Sequence, residues 1–157
     1  MDGVLSDFSQ RYSKLYGYIA GGEGTENDRD KKEFSKNWND FVETKQFEIL
    51  DWFTGGKELI DFVKSLNVRI EILSSSGGAK FHSEIREQKE IWLAKNNITF
   101  PVNIVPGRRT KRFFSYKGNV LIDDTKDVVD EFNQYGGKAI LHTDANKTIE
   151  ELKAMMQ

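Results

Sequence analysis

The sequence contains no cysteine, only two prolines and only two histidines. Without cysteine there is no disulfide, no thiolate metal site and no cysteine nucleophile. Neither His82 nor His142 lies in a ligand-spaced cluster, and both read as surface or helix-end residues. No apolar run approaches the ~20 residues of a membrane-spanning helix, and the amino terminus has neither a basic head nor a long apolar stretch. An excess of one charge is also missing. The 23 basic and 25 acidic residues leave −2, which argues against a nucleic-acid binder held by bulk electrostatics. These absences describe a soluble domain without membrane partners, expected in the cytoplasm.

What is present suffices for a packed core. The 157 residues are 38% hydrophobic and 12% aromatic, and a chain of this size buries roughly two-thirds of the surface it exposes when unfolded. The polar, glycine-rich stretch from Ala20 to Glu33 reads as an exposed and mobile loop, between a helix around 8–19 and another around 30–46. From there the pattern alternates. "GGKELIDFVKSL" places Leu59, Ile60, Phe62, Val63 and Leu66 at helical spacing, and "VRIEIL" (68–73) reads as a strand that stops at "SSSGG". "HSEIREQKEIWLAKNN" is an amphipathic helix with Ile85, Ile91, Trp92 and Leu93 inward. Strands follow at "PVNIVP", "NVLIDD" and "KAILH", with helices at "KDVVDEFNQYGG" and "TIEELKAMMQ".

Strand alternating with helix predicts an α/β sandwich with a mostly parallel sheet, and ligands in such folds sit beyond the carboxyl ends of the strands. Those ends are Asp2-Gly3, Ser74-Ser75-Ser76, the "PGRRTK" loop and Asp123-Asp124. All are expected at one edge. Taken singly, an Asp-Asp pair is a helix cap, a serine run is a loop and "RRTKR" is a solvated turn. Taken together, they offer carboxylates that repel unless a cation joins them, hydroxyls and amides suited to phosphate, and cations to neutralise it. Metal, phosphate cradle and cation together point to phosphoryl transfer.

On these motifs the chain resembles the haloacid dehalogenase superfamily of phosphohydrolases, and more narrowly its 5′(3′)-deoxyribonucleotidase branch. The resemblance implies a three-layer Rossmannoid core over residues 1–8 and 53–157, with a small helical cap inserted over 9–52. "MDGVLSDF" is similar to the family's first motif from its second position onward, which makes Asp2 the general acid/base and a Mg²⁺ ligand. Ser74 and Ser75 fall on the second motif, as phosphate ligands. "RTK" resembles the third, with Lys111 as the phosphate-binding lysine and Arg109 beside it, and Lys89 is implied as a further phosphate-side lysine. "LIDD" is similar to the fourth, with Asp124 on Mg²⁺ directly and Asp123 through water. Phe8, Trp38 and Phe41 match aromatic positions that flank a nucleobase.

In the family the nucleophile is the first aspartate of Asp-x-Asp, which falls immediately before Met1, at the end of an apolar strand also absent from the chain as written. A longer natural chain is the favoured explanation, and the chain as written is expected to be nearly inactive. The implied function is a Mg²⁺-dependent phosphomonoesterase acting on (deoxy)nucleoside monophosphates through an aspartyl phosphate. The alternatives are a non-catalytic phosphate- or nucleotide-binding domain, and a phosphatase of sugar phosphates or of polynucleotide 3′ ends.

Overall fold

The computed structural model describes residues 1–17 and 28–156. The chain is a mixed α/β protein. Helix α1 (Phe8–Tyr16) starts at Asp7, whose carboxylate accepts from the Gln10 amide, and ends at Gly17 in the left-handed conformation. Helix α2 covers Asp28–Glu43, and a 3-10 turn covers Gln46–Ile49. The loop expected over 20–33 lies outside the described residues up to 27, and from Asp28 onward the chain is helical.

The alternation then follows as α3 (Gly56–Ser65), β1 (Ile72–Ser75), α4 (His82–Lys95), β2 (Val102–Val105), a 3-10 segment (Arg108–Phe114), β3 (Val120–Asp123), α5 (Lys126–Gln134), β4 (Lys138–Leu141) and α6 (Ala145–Met155). Strand β1 begins four residues later than its hydrophobic run. Val68 is exposed and Arg69 pairs at the surface with Glu71 at 2.6 Å, so pairing starts only at Ile72. As a result, Ser74 and Ser75 are strand residues, not the loop beyond it. Helix α6 begins three residues before its expected start, because Asp144 accepts from the Lys147 amide as its cap.

The strands pair in parallel, but not as one sheet. β1 pairs with β2, in register Ile72 with Val102 through Ser75 with Val105, and β3 pairs with β4, Val120 with Lys138 through Asp123 with Leu141. These are two separate two-stranded sheets.

One buried cluster runs through Tyr12, Phe41, Phe47, Leu59, Ile72, Trp92 and Ile140, so the helices before residue 50 share their core with the later elements. Its aromatic end is dense: Phe8 stacks on Phe47 at 5.6 Å and meets Phe41 edge-on at 5.2 Å. Each fully buried aromatic of this kind contributes about 2–3 kcal/mol. In α4, Ile85, Trp92 and Leu93 are buried and Ile91 is half-buried, while Gln88 and Lys89 complete the inner face. Gln88 is satisfied there by the Val42 carbonyl at 2.8 Å. Among the described residues, no helix is long and apolar enough to cross a membrane.

Candidate functional site: a buried lysine–carboxylate cluster

The first six residues close on themselves. The Met1 carbonyl accepts from the amides of Val4, Leu5 and Ser6, and the Gly3 amide donates to the Ser6 carbonyl. This turn needs φ +69° at Gly3, where a side chain would also overlap Asp124 Oδ2. It holds Asp2 with both carboxylate oxygens engaged, Oδ1 by Ser6 Oγ at 2.8 Å and Oδ2 by Lys89 Nζ at 2.6 Å.

Lys89 lies one turn from both Ile85 and Trp92 on the buried face of α4, and only 1% of its side chain is exposed. An ammonium so placed must use every proton. Besides Asp2 it donates to Ser74 Oγ at 2.9 Å and to the Ser75 carbonyl at 2.7 Å, and it lies 5.1 Å from the centre of the Phe47 ring. Lys89 therefore ties the first turn to the end of β1, with no proton left for a phosphate.

A second pair stands at the end of β3. Lys111, from the 3-10 segment, lies 2.6 Å from Asp123 Oδ2, and both side chains are almost wholly buried. Asp123 Oδ1 accepts from the Thr125 amide at 3.0 Å. Asp124 is exposed and has no ion-pair partner among the described residues; its Oδ1 takes a long 3.3 Å contact from Thr125 Oγ1.

The two pairs meet around Met1. Its amino group is buried among Lys111, Asp2, Asp123 and Lys89; loss of water, and then the Lys111 charge, lower its pKa from 8.0 to about 6. Burial works against ionised Asp2, yet Lys89, the chain amine and the bonds from Lys89 and Ser6 hold its carboxyl below the usual range. Asp124 moves the other way, pushed up by loss of water around its inner side and then by the charge of Asp123.

Asp2, Ser74, Ser75 and Lys89 are thus linked by hydrogen bonds, and Lys111, Asp123 and Asp124 join them through the Met1–Gly3 turn. Arg109 does not join. Its side chain is 73% exposed and lies 4.0 Å from Glu131 on α5, because the 3-10 segment turns it away from Lys111. Phe41 is corrected as well: fully buried behind Phe8, it cannot face a ligand. Phe8 and Trp38 do line an open cavity of about 420 Å³, with Phe34, Ser76, Gly77 and Lys80. Its wall is tight where Trp38 packs on Gly77, and Lys80 donates to Asn39 of α2 at 3.1 Å.

Two residues here, Ser6 and His142, escaped sequence reasoning as parts of the site, and Ser76, expected at the strand end, was given no partner there. Ser6 is fully buried and orients Asp2. His142 is buried, not superficial: its ring bonds Thr148 Oγ1 through Nδ1 at 2.8 Å, while Nε2 has no hydrogen-bond partner among the described residues. Burial, partly offset by Asp124 and Asp144, lowers its pKa. Ser76 is buried too, 2.9 Å from Nδ1 of the half-buried His82. The available signal was position, since His142 directly follows an apolar strand.

Whether the acids suit a divalent cation turns on what they already bind. Among the described residues no group of three or more histidines, acids or cysteines stands together as metal donors. Lys89 and Lys111 hold Asp2 and Asp123, so of the three expected metal ligands only Asp124 is without a lysine partner.

The site belongs to a mixed α/β protein in which one buried lysine ties the Asp2 carboxylate to the end of β1 and another pairs with Asp123 at the end of β3. The chain matches no protein-family model, no curated protein and no solved structure.

Proposed function

We propose that the protein is a phosphomonoesterase of the haloacid dehalogenase type, built on that family's core, with (deoxy)nucleoside monophosphates as substrates and Mg²⁺ as cofactor. The observation that carries this reading is the convergence of Asp2, Ser74, Lys111 and Asp124, far apart in sequence, around the first turn. Asp2 would pass a proton between the leaving oxygen and water once one of its bonds to Ser6 or Lys89 opens. Ser74 Oγ and the charge of Lys111 lie where a phosphoryl group would rest at the strand ends. Mg²⁺, bound first at Asp124, would supply charge neutralisation for the phosphoryl oxygens. The cavity beside Phe8 and Trp38 offers stacking surface for a base.

A second reading is a phosphate- or nucleotide-binding domain without turnover. It is favoured by the full engagement of Asp2 and Lys89, which leaves neither free to react without rearrangement. Phosphate release from a panel of nucleoside monophosphates, with and without Mg²⁺, tests both when run beside calorimetric binding of the same compounds. The chain beginning at Met1 is expected to bind without release in either case; release by a chain extended upstream with an apolar strand ending in Asp supports the enzyme, binding without release by both forms supports the second reading, and neither binding nor release removes both.

A further inference from the structure

Charge is nearly balanced over the whole chain but not along it. Between Gly107 and Gly118 the sequence carries five basic residues and no acid. The 3-10 segment and the turn after it divide them. Lys111 turns inward to Asp123, whereas Arg108, Arg109 and Lys117 are exposed and Arg112 is half-buried. The acids that meet this outer face come from α5. Asp127 Oδ2 accepts from Arg108 at 3.0 and 2.7 Å, and one oxygen of Glu131 is shared, 4.0 Å from Arg109 and 3.8 Å from Arg112. Two carboxylates thus stand against three guanidinium groups and Lys117, which has no ion pair among the described residues. Arg112 Nε has no hydrogen-bond partner among the described residues either.

Aromatic rings stand in solvent on the same face. Phe113 is 71% exposed, Tyr116 64% and Tyr135 53%. The Arg112 guanidinium lies 5.2 Å from the centre of the Phe113 ring and 5.6 Å from that of Tyr135, so ring, cation and ring follow one another. Ser115 ties the turn that carries Tyr116 to this end of α5, donating to the Phe132 carbonyl and accepting from the Gly137 amide. The local core is made without these rings, by Leu121, Val128 and Phe132. Large apolar groups left outside a core and grouped together mark a surface that meets a partner.

We propose that this face binds single-stranded nucleic acid over about three or four nucleotides, with bases stacked on Phe113, Tyr116 and Tyr135 and phosphates held by Arg109, Arg112 and Lys117. A single strand repeats a flat base and a negative phosphate, and the surface offers the matching alternation of ring and cation. A duplex keeps its base faces inside its own stack and presents only phosphates to such a surface. An acidic protein segment matches the cations and leaves the open ring faces without a flat partner. DNA and RNA strands share the chemistry that this face recognises. The inference does not depend on the phosphatase reading, because Lys111, the residue of this segment that joins the candidate site, faces the other way.

Fluorescence anisotropy tests it on the whole chain at low salt. The probes are labelled oligothymidylate and oligouridylate of about eight nucleotides, and a labelled duplex of equal length. The single strands are expected to bind, and the duplex at least about tenfold more weakly. Binding of one kind of strand alone still supports the inference and identifies the sugar. Phe113→Ala is expected to lower affinity at least about fivefold, and Arg109→Ala to reduce the slope of log affinity against log salt by about 0.7. Both side chains are exposed, so an unchanged Tm separates lost binding from lost fold. Four results would each overturn the inference: no binding of either strand at millimolar protein, equal binding of the duplex, unchanged affinity in Phe113→Ala, or displacement of the strand by polyglutamate as readily as by unlabelled oligonucleotide, which would give the surface to an acidic protein partner.

Discussion

Replacing Lys89 by methionine isolates the link between the first turn and β1. Methionine matches the lysine stem and keeps its packing under Phe47, so the loss is that of the ammonium and its three bonds. Removing one member of a fully buried pair costs about 3–5 kcal/mol. Asp2 keeps 26% of its side chain exposed and retains Ser6, so it can recover part of its hydration, which lowers the expected loss to about 2–3 kcal/mol. For a domain of this length each kcal/mol is worth about 2–4 °C, which predicts a fall in Tm of about 4–12 °C at pH 7. A pH signature accompanies it. Although burial opposes ionisation of Asp2, Lys89 holds its folded-state pKa below that of the unfolded chain. That stabilisation is complete above the unfolded value of about 3.9 and is lost as pH falls through the lower folded value. The gap between wild type and Lys89→Met is therefore expected to be widest at neutral pH and to narrow below about pH 4. Calorimetric melting of both proteins from pH 7 to pH 3 measures it. A Tm change under about 1 °C at pH 7, or an equal gap at both ends, would refute the assignment of Lys89 as the partner that matters to Asp2.

The amino group of Met1, with a folded pKa of about 6 against 8.0, disfavours folding when protonated; stability is expected to rise by about 2 kcal/mol between pH 6 and pH 8. Urea unfolding of the chain beginning at Met1 reads this slope, and acetylating the amine should flatten it; a flat profile before acetylation would contradict the burial. Millimolar Mg²⁺ should raise Tm, and Asp124→Asn should remove most of that increment because Asp124 is the carboxylate without a lysine; identical melting with and without Mg²⁺ would make the acid pair a helix cap alone. Gly3→Ala should cost about 1–2 kcal/mol in chemical denaturation from its positive φ, and should weaken any Mg²⁺ effect by displacing Asp124; full stability would show that the first turn is not as tight as described. Trp38→Ala should weaken binding of nucleoside monophosphates in calorimetry while leaving inorganic phosphate unchanged; equal losses for both would move the base away from this cavity.

The order of elements after residue 55 was legible in the residues, because helical spacing in α3 and α5 and apolar runs in the strands are local properties of the chain. Asp2, Ser74, Lys111 and Asp124 were expected at the carboxyl edge of one parallel sheet, whereas the structure brings them to the first turn from two separate strand pairs. What each side chain does there was not legible. A lysine has one appearance in sequence whether it waits for a phosphate or spends all three protons on Asp2, Ser74 and Ser75, and only burial on the inner face of α4 decides between them. Arg109 and Lys111 are two residues apart, yet the 3-10 segment sends one to solvent and the other to Asp123. Phe8 and Phe41 are both aromatic, but packing closes the second off completely. The division of the strands into two pairs belongs to the same class. Pairing depends on which edges come within hydrogen-bond reach, a long-range property that the apolar pattern of a single strand does not carry.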